Sequence, residues 1–435
     1  MARPYVVIVG RTNVGKSTLF NRMVGSSAAI VESVPDVTRD RNYMEAVWED
    51  KAFIAVDTGG FYTEPSGDIS KQMKEQAAFA IEEADVIIHL LDGKEGLTPA
   101  DIELSKTLRA SGKKILWVVN KIDTPKREER LYDFYALGAD ELLPVSAATG
   151  YEFGELMDRI ASLLPQLSKE ESPYPRIAVV GRPNVGKSTL VNALLGKKRM
   201  IVSPLPGTTR DAVDSVCSYY KNKYLIIDTA GIRKKGKLGF SIERFSAVRA
   251  IRSIERCDIA LIVLDASDGI TEQDQKIAGI VESCAKGAIF LLNKWDIVHE
   301  PDAAYKKIVA ELQRKMWFLN HAPVISVSGI EKKRITKIFS VIDEIIAERK
   351  KRIPTPEINR FIKDVTSGVP LSLYKGRQVK IPYMTQIGTE PPAFVIFSNY
   401  PAGIKESYIR YIEKCLREKF SFRGTPIRIY KKLKK

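Results

Sequence analysis

The chain has 435 residues, 44% of them hydrophobic, enough for about three domains of ~150 residues each. No apolar run reaches the ~20 residues that cross a bilayer. Four scattered cysteines and three histidines (His89, His299 and His321) offer neither a disulfide framework nor metal-ligand spacing. The net charge of +15 sits at one end: residues 350–435 hold 19 Lys+Arg against 6 Asp+Glu, a net +13. A polyanion is the expected partner of that end.

In chain order, MARPYVVIVGR enters a strand-like run directly, without a signal-peptide pattern. A soluble, cytoplasmic monomer is expected. Residues 5–10, 52–60, 86–92, 115–121 and 142–147 read as strands, with a helix over 69–84. PQLSKEESPYP (165–175), polar and with three prolines, reads as a linker. The strand series then returns as RIAVVG, KYLIIDTAG, IALIVLD, AIFLLNK and PVISVSG. These runs are continuously apolar, as parallel strands covered on both faces require. The alternation with helical segments predicts an α/β fold of two tandem doubly wound domains. A helix over 337–352 and the segment IPTPEI close the second copy. The remainder reads as helix (357–366), strands near 377–388 and 393–399, helix (405–420) and strand (425–432), a small α+β domain. The expected division is 1–164, linker 165–175, 176–352 and 353–435.

The repeat is exact enough to align residue by residue. Lys16 and Lys187, Thr38 and Thr209, and Asp57 and Asp228 are each 171 apart, and Asn120 and Asn293 are 173 apart. Such a period is a duplicated domain. Gly10-Arg11-Thr12-Asn13-Val14-Gly15-Lys16-Ser17-Thr18 and Gly181-Arg182-Pro183-Asn184-Val185-Gly186-Lys187-Ser188-Thr189 both fit G-x-x-x-x-G-K-[ST] between a strand and a helix. In that context the glycines let backbone N–H groups close on phosphate oxygens, and the helix N-terminus favours the anion. Lys16 and Lys187 would neutralise β/γ-phosphate charge. Ser17 and Ser188 would ligate Mg²⁺.

Asn120-Lys121-Ile122-Asp123 and Asn293-Lys294-Trp295-Asp296 fit N-K-x-D and select the base. A carboxylate accepts two hydrogen bonds from guanine N1–H and the 2-amino group, a pair adenine lacks. The Asn either orients the loop or meets the ring, and the Lys stem covers its face. Ser146-Ala147 and Ser328-Gly329 would complete the base site with a backbone N–H. Asp57-Thr58-Gly59-Gly60 and Asp228-Thr229-Ala230-Gly231 fit D-x-x-G: the Asp would hold Mg²⁺ through water and the last Gly N–H would meet the γ-phosphate. Thr38 and Thr209, in PDVTRDR and PGTTRDA, would join Mg²⁺ only while the γ-phosphate is present, a switch. The groups expected to act in hydrolysis are therefore Lys16, Thr38, Gly60, Lys187, Thr209 and Gly231, with GTP/GDP and Mg²⁺ as cofactors.

With these motifs the whole chain resembles the EngA/Der family, bacterial GTPases with two tandem G domains and a C-terminal KH-like domain. The resemblance rests on the duplicated GRxNVGKSTL, DTGG, DTAGIRKKGK and the tail. It implies GTP hydrolysis coupled to assembly of the large (50S) ribosomal subunit, with contact to rRNA through the basic tail. Phe61 and Ile232 follow D-x-x-G, where Ras-like proteins carry a water-orienting Gln, so intrinsic turnover is expected to be slow and stimulated by K⁺ and ribosomes. Asn13 and Asn184 match the loop Asn that helps bind K⁺ in related GTPases. The chain departs from the family at Asp36, where a Gly is usual, and at Gly329, where an Ala is usual. No GxxG stands between tail helices, so phosphate-driven rRNA contact is expected rather than reading by that loop. The basic stretch Arg233-Lys234-Lys235-Gly236-Lys237 is expected to present or hide an rRNA contact with nucleotide state. On this reading the loop at 181–190 gates RNA contact, and that at 10–19 sets domain arrangement. The rival classes are a non-catalytic RNA-binding scaffold and a metabolic phosphotransferase.

Overall fold

The computed structural model describes residues 3–26, 43–59, 77–78, 80–165, 172–196, 202–204, 214–220, 222–228 and 242–434, with the backbone alone at 202–204 and 242–248. The expected switch residues Asp36, Thr38, Gly60, Phe61, Thr209, Thr229, Ala230, Gly231 and Ile232 lie outside these residues, as does the basic stretch Arg233 to Lys237. Two compact units result: 1–170 with 239–249, and 171–238 with 250–435.

The first unit holds six strands: β1 (Tyr5–Val9), β2 (Tyr43–Trp48), β3 (Lys51–Asp57), β4 (Val86–Asp92), β5 (Ile115–Asn120) and β6 (Leu142–Pro144). Their order is β2-β3-β1-β4-β5-β6. Five run parallel, and β2 pairs antiparallel with β3 from Tyr43↔Val56 to Trp48↔Lys51. The five parallel strands are the ones expected from the sequence; β2 is an additional edge strand that was not expected from it. YMEAVW is only half buried and lies at the sheet edge, so it lacks the continuous apolar run that marks the inner strands. Strand β4, by contrast, is buried from end to end. One core face packs Val6, Ile8, Leu19 and Met23 against Leu156 and Ile160; the other packs Val7 and Val9 against Leu104 and Leu108. Of the helix expected over 69–84, residues 77–78 and 80–84 are described; all but Ala84 are helical.

The second unit repeats the plan with β7 (Arg176–Val180), β8 (Val202–Pro204), β9 (Ser215–Tyr219), β10 (Asn222–Ile226), β11 (Ile259–Asp265), β12 (Gly287–Asn293) and β13 (Val324–Ser326). The order is β13-β12-β11-β7-β10-β9-β8, and β9 and β8 are the antiparallel additions. In both units the strand carrying the first glycine-rich loop lies between its two parallel neighbours, so the loop leaves the sheet where the strand order reverses, the usual ligand crevice of such folds.

The tail forms a three-stranded sheet, β16 (Tyr383–Gly388), β17 (Ala393–Ser398) and β18 (Arg428–Leu433), under helices Thr355–Gly368 and Glu406–Phe420. The strand expected over 377–388 is two pieces. Arg377–Gln378 (β15) pairs with Leu373–Tyr374 (β14) in a short ribbon, and β16 begins only after Pro382, which has no N–H to give a ladder. The tail has its own core, with Ile358, Phe361, Phe394, Ile412 and Leu416. It docks on the β12–β13 end of the preceding sheet within the same unit. The Gly424 amide donates to His321 O (2.8 Å), and Ala288 N donates to Gly424 O (2.9 Å). Arg428 reaches Glu282 Oε1 (2.9 Å) and the Ser283 carbonyl (3.0 Å).

Candidate nucleotide sites

β1 runs into Gly10 and the loop then turns into helix Lys16–Gly25. Gly15 has φ +99°, and a Cβ there would lie 2.3 Å from Asn120 Nδ2, so only glycine lets the loop lie against the second motif. Gly186 repeats this with φ +91° and 2.3 Å to Asn293 Nδ2. Lys16 Nζ donates to Gly10 O (2.8 Å) and Arg11 O (2.6 Å), and Lys187 Nζ does the same to Gly181 O (2.7 Å) and Arg182 O (2.5 Å). Burial lowers the Lys16 pKa to about 8, against the opposing pull of Asp57. A buried ammonium held by loop carbonyls is a strong anion-seeking group.

Beside it, Ser17 Oγ donates to Asp57 Oδ2 at 2.6 Å. Asp57 Oδ1 accepts from Gly59 N (2.8 Å), and Thr58 Oγ1 donates to Ile8 O (2.7 Å). A hydroxyl and a carboxylate in contact next to a phosphate-seeking lysine form a hard oxygen donor set that fits Mg²⁺. In the second copy Asp228 lies past the end of β10 with φ +56°, its amide donating to Asp214 Oδ1 (3.0 Å).

The base loops converge on Asn120 and Asn293. Asn120 Nδ2 donates to Val14 O (2.7 Å) and its Oδ1 accepts from Ala147 N (2.9 Å). Asn293 makes the matching pair with Val185 O (2.8 Å) and Gly329 N (3.1 Å). Each Asn thus ties the phosphate loop to the base loop through both ends of its amide, and its second N–H stays available to a base. Lys121 Nζ donates to Asn13 O (2.9 Å). Asp123 Oδ1 accepts from Ser146 Oγ (2.8 Å), and Asp296 Oδ1 from Ser328 Oγ (2.5 Å). Arg127 also pairs with Asp123. Ile122 is fully buried, anchoring its loop, while Trp295 packs edge-on to Tyr305. Thr12, Asn13, Thr18, Pro183, Asn184 and Thr189 sit on the two phosphate loops or the first helical turn after them.

Two acidic sets escaped sequence reasoning. Asp92 and Asp265, at the ends of β4 and β11, pair with Lys121 and Lys294. Burial works against both carboxylates, but the lysines and loop amides hold them below the usual carboxylate range. Thr98 and Asp101, and Thr271 and Asp274, form capping boxes. Asp101 and Asp274 also meet Arg11 (3.4 Å) and Arg182 (3.5 Å). These arginines, expected to contact nucleotide, therefore turn toward acids of the neighbouring loop and helix. The signal was present as T-x-x-D at the same repeat spacing.

Comparison with known proteins agrees with this geometry. The model of the "50S ribosome-binding GTPase" family matches residues 5–121 and again 176–294. The KH-domain-like C-terminal model of EngA bacterial GTPases matches 352–432. The chain is 52% identical over 446 aligned positions to GTPase Der of Thermodesulfovibrio yellowstonii, covering 99% of each chain. It is 46% identical to GTPase Der of Geotalea uraniireducens, over 98% of this chain and 97% of that one. The chain belongs to the GTPase Der family. It is accordingly a guanine-nucleotide-binding, GTP-hydrolysing P-loop enzyme with two G domains and a KH-like tail, and the phosphotransferase and non-catalytic readings fall away. No helix among the described residues is long and apolar enough to cross a membrane.

Proposed function

We propose that the chain is a GTP-driven switch in assembly of the large ribosomal subunit, acting in the cytoplasm as a monomer and touching rRNA through its tail. The observation that carries the reading is the doubled loop geometry. In each copy one Asn amide ties the phosphate loop to the base loops, on a chain whose excess positive charge lies in the tail. The family model matching both copies names 50S ribosome binding.

Within each site Lys16 and Lys187 leave their loop carbonyls for the β/γ-phosphates, and Asp123 and Asp296 accept from guanine. Ser17, Thr38 and Asp57, with Ser188, Thr209 and Asp228, would hold Mg²⁺, which supplies charge neutralisation on the phosphates. Gly60 and Gly231 would offer their amides to the γ-phosphate. Phe61 and Ile232 cannot orient water, so turnover is slow alone. Asn13 and Asn184, in left-handed conformation at φ +63° and +65°, would take K⁺, whose charge adds to the phosphate clamp. The second site gates RNA contact through the stretch from Arg233 to Lys237.

The test measures GTP turnover in KCl and in NaCl, with and without large ribosomal subunits, for the full chain and its Lys16→Ala and Lys187→Ala variants. KCl and subunits should raise turnover, each variant should lose its own site, and Lys187→Ala should lose GTP-dependent subunit association. Association indifferent to nucleotide in every protein would sink the switch.

A further inference from the structure

A cavity of about 1090 Å³ opens between the loop after helix Pro301–Lys315 and helix Glu406–Phe420 of the tail. It lies at the amino-terminal end of β12 and β13, with Glu282 and Pro323 in its wall, whereas the base loops leave the opposite end of those strands. The docking contacts of Gly424 and Arg428 hold its two sides together.

Seven Lys and Arg line it against three Glu. Several of these cations are committed to structure: Arg428 to Glu282, Arg417 to Glu413 (2.8 Å) and Arg423 to Glu344 (2.9 Å). Arg410 is not. It has no hydrogen bond or ion pair among the described residues, and its guanidinium lies over the Trp317 ring, 5.9 Å from the centroid. Trp317 is 57% exposed, packed edge-on to Phe318. Lys414, with 74% of its side chain exposed, has a carboxylate only at 3.8 Å.

An exposed indole held in place on one face by a cation leaves the other face open for a planar π-system. The adjoining donors suit phosphate, and the cavity's size suits more than a free anion. Base-on-aromatic stacking beside a basic track is how single strands are held. We propose that this cavity binds a segment of single-stranded RNA, one base on the open face of Trp317 and its phosphates on Arg410 and Lys414. The proposal rests on the rRNA reading above and gives that contact a place.

The test uses the full chain with both nucleotide sites filled with GDP. Fluorescence anisotropy follows a labelled octa-adenylate RNA and an abasic ribose-phosphate oligomer of equal length. Trp317→Ala should weaken octa-adenylate binding about tenfold while Trp317→Phe stays within about threefold, with unchanged melting temperature. Arg410→Gln should weaken both oligomers. Unchanged octa-adenylate binding by Trp317→Ala would overturn the proposal, as would abasic binding equal to octa-adenylate. Equally tight binding of an octa-glutamate peptide would assign the cavity to an acidic protein instead. Trp317-dependent RNA binding in a protein that fails to associate with ribosomal subunits would remove the assembly role and leave this site standing.

Discussion

Asn120 and Asn293 each do at the residue scale what a whole loop would otherwise need. One amide satisfies a carbonyl of the phosphate loop and an amide of the base loop. Asn120→Ala strands Val14 O and Ala147 N in buried surroundings, at a cost of about 1–3 kcal/mol. GDP affinity of the first site should fall about tenfold or more, read by titration in a Lys187→Ala background. Lys16 makes a pH prediction. Its pKa of about 8 in the folded protein is below the unfolded 10.5, so its buried charge opposes stability at neutral pH, and that penalty is relieved progressively as pH rises from about 8 to 10.5, where the unfolded chain holds the proton and the folded chain has lost it. Bound phosphate restores the charge, so binding takes up a proton above a pH of about 8. In the Lys187→Ala background, GDP affinity should drop about fourfold between pH 7 and 8.5. A flat profile would mean that Lys16 stays charged throughout.

At the scale of elements, local sequence rules explain most boundaries and fail where context overrides them. The inner strands are apolar throughout because both faces are covered. β2 is half buried at the sheet edge, and β9, between β10 and the edge strand β8, is fully buried only over Ser215 to Cys217, which is why their sequences did not declare themselves. The ribbon at 373–378 depends on a turn through Lys375 and Gly376, both at positive φ, and on Pro382 ending the run. Gly424 is a stricter requirement: φ is +69°, and a Cβ would meet Ile345 Cδ1 and Cγ1 at 2.4 Å. Gly424→Ala should destabilise the second unit by about 1–3 kcal/mol, lowering the melting transition of that unit while leaving the first unit's transition in place. In the first unit, Thr98→Ala removes a capping box and should cost about 1 kcal/mol, measured by denaturant unfolding.

For the whole molecule, charge and duplication matter most. The net +13 of residues 350–435 is a long-range attraction for phosphate backbones whose strength depends on salt. Lys432 and Lys434 are exposed on or just after the final strand. Replacing both by Gln should weaken subunit association and reduce the slope of log affinity against log salt by about 1.5. An unchanged slope would remove them from the contact.

The sequence by itself determined the duplicated α/β plan, both phosphate loops, the guanine-selecting motifs and the basic end, because each is a local pattern with a fixed chemical requirement. Only the tertiary structure decided that Asn120 and Asn293 tie the phosphate loops to the base loops, that Asp92 and Asp265 restrain the base-site lysines, and that Arg11 and Arg182 turn to capping carboxylates. Only it placed Trp317 beside Arg410 across 93 positions of chain. Those pairings join groups remote in sequence, and burial and strand order, which no local spacing encodes, bring them together.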